Sequence, residues 1–413
     1  MQIEHLISFT SALLLLSLLA EPVARWVRLP QASVLVVFGA IGAYITTQLL
    51  GWDLGLRAQS FHDLIFFVFL PILIFEAAYK ISLNKLLPDV GVVLFLAVVG
   101  TILTTLFSGT LLYYGIGHAT GFPWIAALLA GALLAATDPA AVIAQLKQVG
   151  APERLGILLE GESLFNDATA IVVFSLFLTL ALMPESNVTL GFAGLEFARI
   201  FFGGVAIGGI TGLIAVRLLR KMTDPILVSA LTLVAAYGSY LAAELLAHAS
   251  GVMAILIAGL LVAREQAVLD QVAKRHTGHL WSTLGYVANG AVFLLVGVTI
   301  TVSMFTERWL AMLIAIGAMF VARAVVTFVG LGVANLALKD KVSATYQTVI
   351  VWGGLRGAVT LALALALPVS LDYWFTIQSM AFGVVLFTLF VQAPTMPWLL
   401  RRTKLVQNPP DTQ

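Results

Sequence analysis

Cysteine is absent from this chain, so neither a disulfide nor a thiolate metal site can form. Charge is scarce as well, at 10% of 413 residues against 60% hydrophobic. With a mean hydropathy of +1.02, the chain has too little polar surface for a soluble protein of its length and reads as all-α and polytopic in a membrane. The six histidines show no metal-ligand spacing. There is no glycine-rich phosphate loop and no nucleophile–base arrangement in a soluble context, so an enzyme reading has nothing to stand on. No cofactor is expected. A net charge of +1 says little about partners, and no nucleic acid is expected among them. The opening Met1-Gln2-Ile3-Glu4-His5 lacks the basic region of a signal peptide, so the first apolar run reads as a retained span.

What is present is more telling. Two of the most apolar stretches are interrupted in the same manner. Residues 123–147 carry Thr137-Asp138-Pro139 at their middle, and residues 342–369 are cut by Gly353-Gly354-Leu355-Arg356-Gly357. A helix at membrane depth accepts such sequences only where it unwinds beside a cavity or a protein partner. Paired interruptions in corresponding positions of two halves point to the binding site of a secondary transporter.

Hydropathy places thirteen spans at roughly 6–23, 30–50, 61–79, 89–116, 123–147, 155–183, 192–216, 225–246, 251–264, 280–303, 309–337, 342–369 and 373–399. The ninth is short. Of the 22 basic residues, only Arg57 and Arg308 fall at the N-terminus or in loops after even-numbered spans. Arg199, Arg323 and Arg356 lie in or at spans, and all the others follow odd-numbered spans or sit in the tail. That asymmetry predicts the N-terminus outside and the C-terminus in the cytoplasm. Thirteen spans divide as six, one and six: a first repeat over 1–183, a linker span within 184–224, a second repeat over 225–400, and a short tail at 401–413. Each interruption then falls in the fifth span of its half, and the halves have inverted topology. Trp26, Trp52, Trp124, Trp281, Trp309, Trp374 and Trp398 fall near expected span ends, as an aromatic belt would.

Carboxylates inside spans are costly and need a partner or a task. Asp167 lies about 18 Å into a hydrocarbon layer about 30 Å thick. Ser163, one turn earlier, shares its face, and Asn166 adds an amide oxygen. This trio is a hard oxygen site suited to Na⁺ or Li⁺. Burial favours the neutral acid and a bound cation favours the carboxylate, so protons and cations would compete for one group. Asp138 before Pro139 reads as a cap restarting a half-helix, with ligation as an equal alternative, and unwinding frees the Thr137 carbonyl to coordinate an ion. Arg356 stands where half-helix ends leave partial charges, and its expected task is to neutralise them. Glu162 is about 140° around the helix from Asp167, so its expected role is an ion pair with an intramembrane Arg, and Arg323 is the available one. Glu76, after Pro71, reads either as a supporting group at the cavity or as a carboxylate near the cytoplasmic end. Glu160 and Glu244 read as solvated, near span ends.

Ala136-Thr137-Asp138-Pro139, Glu160-Gly161-Glu162-Ser163-Leu164-Phe165-Asn166-Asp167 and Gly353-Gly354-Leu355-Arg356-Gly357-Ala358-Val359 together resemble the signatures of monovalent cation/proton antiporters. The likeness is to the branch containing bacterial NhaP-type exchangers and animal sodium/proton exchangers. Phe69-Leu70-Pro71 through Glu76-Ala77-Ala78, and Ser250-Gly251 with Gly259-Leu260, extend it over most of the chain. The resemblance implies a thirteen-helix fold with a dimerisation domain, a mobile core domain and elevator-like movement of the ion site, and hence a homodimer. It implies that Asp167 binds cation or proton, with Asn166, Ser163, Asp138 and the Thr137 carbonyl nearby, and that Arg323 pairs with Glu162. Asn166 before Asp167 is similar to the electroneutral branch; electrogenic relatives carry two adjacent Asp residues. The long cytoplasmic regulatory tail of animal and plant members is missing, which favours a bacterial inner membrane.

The expectation is therefore one-for-one exchange of Na⁺ or Li⁺ for H⁺ at Asp167. K⁺/H⁺ exchange by the same mechanism is the nearest rival, since these oxygens hardly separate hard monovalent ions. A sodium-coupled symporter of organic anions is a more distant one, lacking visible substrate-recognition groups.

Overall fold

The computed structural model describes residues 3–27, 29–46, 64–116, 121–182, 190–265, 270–336 and 340–405, and every regular element among them is a helix. Trp52 and Arg57, used above for the belt and the orientation, lie outside the described residues. In chain order the helices are α1 (Ile3–Val27), α2 (Gln31–Tyr44), α3 (Leu70–Lys80), α4 (Leu83–Gly115), α5 (Trp124–Ala135), α6 (Ala140–Gln148) and α7 (Glu153–Leu182). There follow α8 (Leu190–Leu219), α9 (Pro225–Leu246), α10 (Gly251–Glu265), α11 (Gln271–Thr299), α12 (Val302–Ala334), α13 (Ala344–Gly353), α14 (Ala358–Leu365) and α15 (Trp374–Arg402).

The protein is an integral membrane protein. Eight of the described helical segments are long and apolar enough to cross a membrane, or up to ten if each of two bent pairs is one span. Helices stand where all the expected spans lie. As described, α2 has 14 residues, α10 has 15, and α3 has 11 following a five-residue π-type turn over Ile65–Phe69, against about 20 for a helix that crosses a 30 Å layer alone. Residues 47–63, between α2 and α3, lie outside the described residues.

Local sequence sets the helix starts. Asp224 accepts the N–H groups of Ile226 and Leu227, with Pro225 as first helical residue of α9. Asp270 caps α11 and Ser343 caps α13 in the same way. Glu244 corrects the sequence reading. It is half-buried rather than solvated, and its Oε1 accepts the Gly251 N–H at 2.9 Å. The start of α10 is thereby held twice, by Ser250 Oγ accepting the Met253 N–H at 3.2 Å and by a glutamate seven residues upstream.

The helices sort into two bundles. One gathers α1, α2 and α3 with α8, α9, α10 and α11; the other gathers α4, α5, α6 and α7 with α12, α13, α14 and α15. The bundles meet where α7 touches α8 and α10, and where α14 touches α11. Within the first bundle α8 and α10 approach closely: a Cβ on Gly208 would lie 2.7 Å from the Ala254 Cα, the small-residue contact that replaces hydrophobic driving force between helices in lipid. Outward faces carry large apolar side chains, among them Leu15 and Leu18 of α1 and Phe202 and Ile214 of α8, as lipid contact requires. Trp26, Trp124, Trp309 and Trp398 are exposed. Trp281 is not part of a belt: it is fully buried, donates Nε1–H to Thr232 Oγ1 at 2.9 Å and packs on Phe75. Helix α11 begins nine residues earlier than hydropathy placed it, which carries Trp281 into the bundle.

Candidate functional site

Both sequence interruptions are unwound. Residues 136–139 separate α5 from α6, and residues 354–357 separate α13 from α14, with a bend of 41° at the second. Unwound backbone in a membrane must find partners inside the protein, and here each break supplies partners for the other. The Asp138 N–H donates to the Leu355 carbonyl at 2.8 Å, and the Thr360 hydroxyl to the Ala136 carbonyl at 3.4 Å. A Cβ at Gly357 would collide with the Asp138 carboxylate, so glycine is what lets the two breaks touch.

At the first break Asp138 Oδ1 accepts the Ala140 N–H at 3.1 Å, and so caps α6. The Thr137 carbonyl is not free, since the Ser163 hydroxyl donates to it. Asn166 Nδ2 donates to the Thr137 hydroxyl at 3.3 Å, which fixes the amide with its oxygen turned elsewhere. The Oδ1 atoms of both Asn166 and Asp167 are buried without a hydrogen-bond partner. Unpaired buried oxygens of this kind lose their hydration and gain nothing in return; a cation among them would restore what is lost.

The second break is sealed. Arg356 is 1% exposed. Its backbone N–H donates to Thr388 Oγ1 at 3.3 Å, and its carbonyl accepts the same hydroxyl at 3.2 Å. The guanidinium Nη1 donates to the Gly354 carbonyl at 2.9 Å, and Nε and Nη2 have no hydrogen-bond partner. Gln392 donates to the Trp352 carbonyl. Thr388 and Gln392 bound a wide, π-type turn in α15, which turns two polar side chains toward the break. Arg323 closes the other side. It forms a two-pronged ion pair with Glu162, with Nη2 to Oε2 at 2.9 Å, and also donates to the Ile350 carbonyl at 3.3 Å. Both side chains of the pair are at most 5% exposed.

Helix α7 runs past both breaks and lines the cavity beside the first. Asp167 and Ser163, with Asp138 and Pro139, line a cavity of about 590 Å³ between the two bundles. Glu76 lies on its opposite wall, one turn before the end of α3, and pairs with Lys80, so it lines the cavity and stands near a helix end at once. Thr137, Asn166, Glu162, Arg323 and Arg356 stand behind the wall rather than on it. Three groups on α11 that the sequence did not single out, Ser282, Tyr286 and Asn289, complete the wall, as do Lys147 and Glu160. The only signal for Asn289 was its polarity within an apolar span.

An integral membrane protein in which two interrupted helices cross beside a carboxylate-lined cavity is, as a class, a secondary transporter. The family model for the transmembrane sodium/hydrogen exchangers matches residues 11–402, and the chain belongs to that family. A Na⁺/H⁺ antiporter of Aphanothece halophytica is 35% identical over 92% of this chain and 70% of its own length. A low-affinity Na⁺/H⁺ antiporter of Synechocystis is 32% identical over 99% of this chain and 76% of its own length. Among solved structures, a sodium proton antiporter of Methanocaldococcus jannaschii matches with a TM-score of 0.82 over 98% of this chain and 100% of its own, at 22% identity; that likeness concerns the fold.

Proposed function

We propose that this protein exchanges Na⁺ or Li⁺ for H⁺ across the membrane, one for one, at Asp167. Deprotonated Asp167 takes the cation together with Ser163, Asp138, the Asn166 amide oxygen and the second lone pair of the Thr137 carbonyl. Protonation removes the charge that holds the ion, so the two substrates exclude each other. A site carrying either Na⁺ or H⁺ has the same net charge, so the charge moved in one direction with Na⁺ is returned in the other with H⁺, and a full cycle moves none. Asn166, in place of a second carboxylate, keeps that balance.

The observation that carries this reading is the joining of the two breaks, Asp138 N–H to Leu355 carbonyl, at the cavity lined by Asp167. The interleaved bundles support a thirteen-span, six-one-six inverted repeat: α1–α3 pack with α9–α11, while α4–α7 pack with α12–α15. In this reading the second bundle carries the ion site and moves as an elevator against the first, which holds a homodimer together. The N-terminus lies outside, the C-terminus lies in the cytoplasm, and the membrane is a bacterial plasma membrane. The loops near Lys80 and Lys147 then put the cavity on the cytoplasmic side.

The test is dissipation of a proton gradient in proteoliposomes by Na⁺, Li⁺ and K⁺, at zero voltage and at an imposed potential. Na⁺ and Li⁺ responses insensitive to voltage are expected. A K⁺ response changes the substrate. Voltage dependence requires a second titrating group such as Asp138, and silence with every cation overturns exchange.

A further inference from the structure

The rim of the cavity carries charges of both signs. Lys80 and Lys147 are exposed and, with Glu76 and half-buried Glu160, line its outer part, while Asp138 and Asp167 line the part formed by the first break. Lys80, Lys147 and Glu160 also line an adjoining cavity of about 380 Å³ together with Lys85 and Glu153. Two of these lysines are already matched, Lys80 by Glu76 and Lys85 by Glu153. Lys147 and Glu160 make no ion pair and no side-chain hydrogen bond among the described residues, yet both line the same two cavities, together with Lys80.

Glu160 also has a telling register. It precedes Asp167 by seven residues, two helical turns, so the two lie on nearly one face of α7 about 10 Å apart. An ion travelling to Asp167 along that face passes Glu160 and Lys147. With the matched pairs set aside, Lys147 leaves the rim at +1 unless Glu160 cancels it. In a narrow space with apolar walls such a charge is felt more strongly than in open water.

We propose that Glu160 keeps the cavity mouth neutral for the incoming cation by cancelling Lys147, and so sets the apparent Na⁺ affinity without ever touching the bound ion. It is a positioning residue in the electrostatic sense: it governs how often the cation reaches the site, not how it is held. The inference rests on the exchange reading above.

The experiment measures Na⁺-driven proton release in everted membrane vesicles, which present the cytoplasmic face outward, for wild type, Glu160→Gln, Glu160→Asp, Lys147→Gln and the Glu160→Gln/Lys147→Gln double variant. Glu160→Gln is expected to raise the KM for Na⁺ by about three- to tenfold with the maximal rate kept, an effect that shrinks as inert salt is added. Lys147→Gln lowers KM, the double variant returns close to wild type, and Glu160→Asp stays there because it keeps the charge. An unchanged KM in Glu160→Gln overturns the proposal. So does a collapse of maximal rate that Lys147→Gln fails to rescue, since rescue by removing a facing charge is not open to a residue that only supports the fold. If Glu160→Gln does not reach the membrane, Lys147→Gln decides alone: a KM that does not fall overturns the proposal. Silence of the wild type with Na⁺ defeats the exchange reading itself and this inference with it, whereas wild-type exchange with unresponsive variants defeats only this one.

Discussion

The two broken helices use the same backbone device for different ends. At 136–139 the unwound chain faces a cavity, presents a carboxylate and stands beside α7, where Asn166 and Asp167 each keep a buried oxygen unpaired. At 354–357 it is buried, held by Thr388 and its own Arg356, with Arg323 and Gln392 tying down the end of α13 just before it, and two guanidinium nitrogens of Arg356 are left without a hydrogen-bond partner. The first break is thus built to change its partners and the second to keep them. An interruption in a membrane helix is therefore not in itself a binding site; what faces it decides. Acidic and open makes a place for a cation, basic and sealed makes an anchor against which that place is held.

If this division holds, damage near the second break should show as lost stability and damage near the first as lost transport. The largest effect is expected for Arg323→Ala, which leaves Glu162 buried and unpaired. The expected loss is about 3–5 kcal/mol of stability, read as a lower melting temperature in detergent; a variant melting like wild type would remove the pair from its supporting role. Asp167→Asn should be the converse. Exchange in proteoliposomes falls by more than about 100-fold while melting is unchanged, and surviving exchange would take Asp167 out of the reaction. Gly357→Ala touches both breaks at once and should cost about 1–3 kcal/mol by overpacking, with transport falling in step. A change in only one of the two readouts would break the view that the breaks are coupled through this contact. Asp138→Asn is the finest probe. Asparagine caps as well as aspartate does, so melting should hold while exchange drops by about tenfold if the charge also serves the ion. Unchanged exchange would reduce Asp138 to a cap.

Much of this could be read in the residues because helix breakers act locally. Asp138-Pro139 and the glycines around Arg356 announce unwinding wherever they stand, and in a membrane unwinding has few allowed settings. The Glu162–Arg323 pair was legible by elimination, since hardly any other intramembrane cation was available. What stayed hidden depends on which faces meet. Glu244 looked solvated because its partner, the Gly251 N–H, lies across a turn. Trp281 looked interfacial because hydropathy started α11 too late. Glu160 looked peripheral, and Asn289 went unremarked, because a cavity between two bundles is a property of their docking and leaves no periodicity in either helix.

The hydrogen bond from Asp138 N–H to the Leu355 carbonyl also has a bearing on how the protein is made. Its donor is inserted into the membrane long before its acceptor is synthesised, for more than two hundred residues of chain lie between them. Until the second half arrives, the first break is an open end in lipid, tolerable only while water or a chaperone covers it. The ion site is thus among the last parts of the molecule to be completed, since a chain that ends before residue 355 leaves the Asp138 N–H without this acceptor.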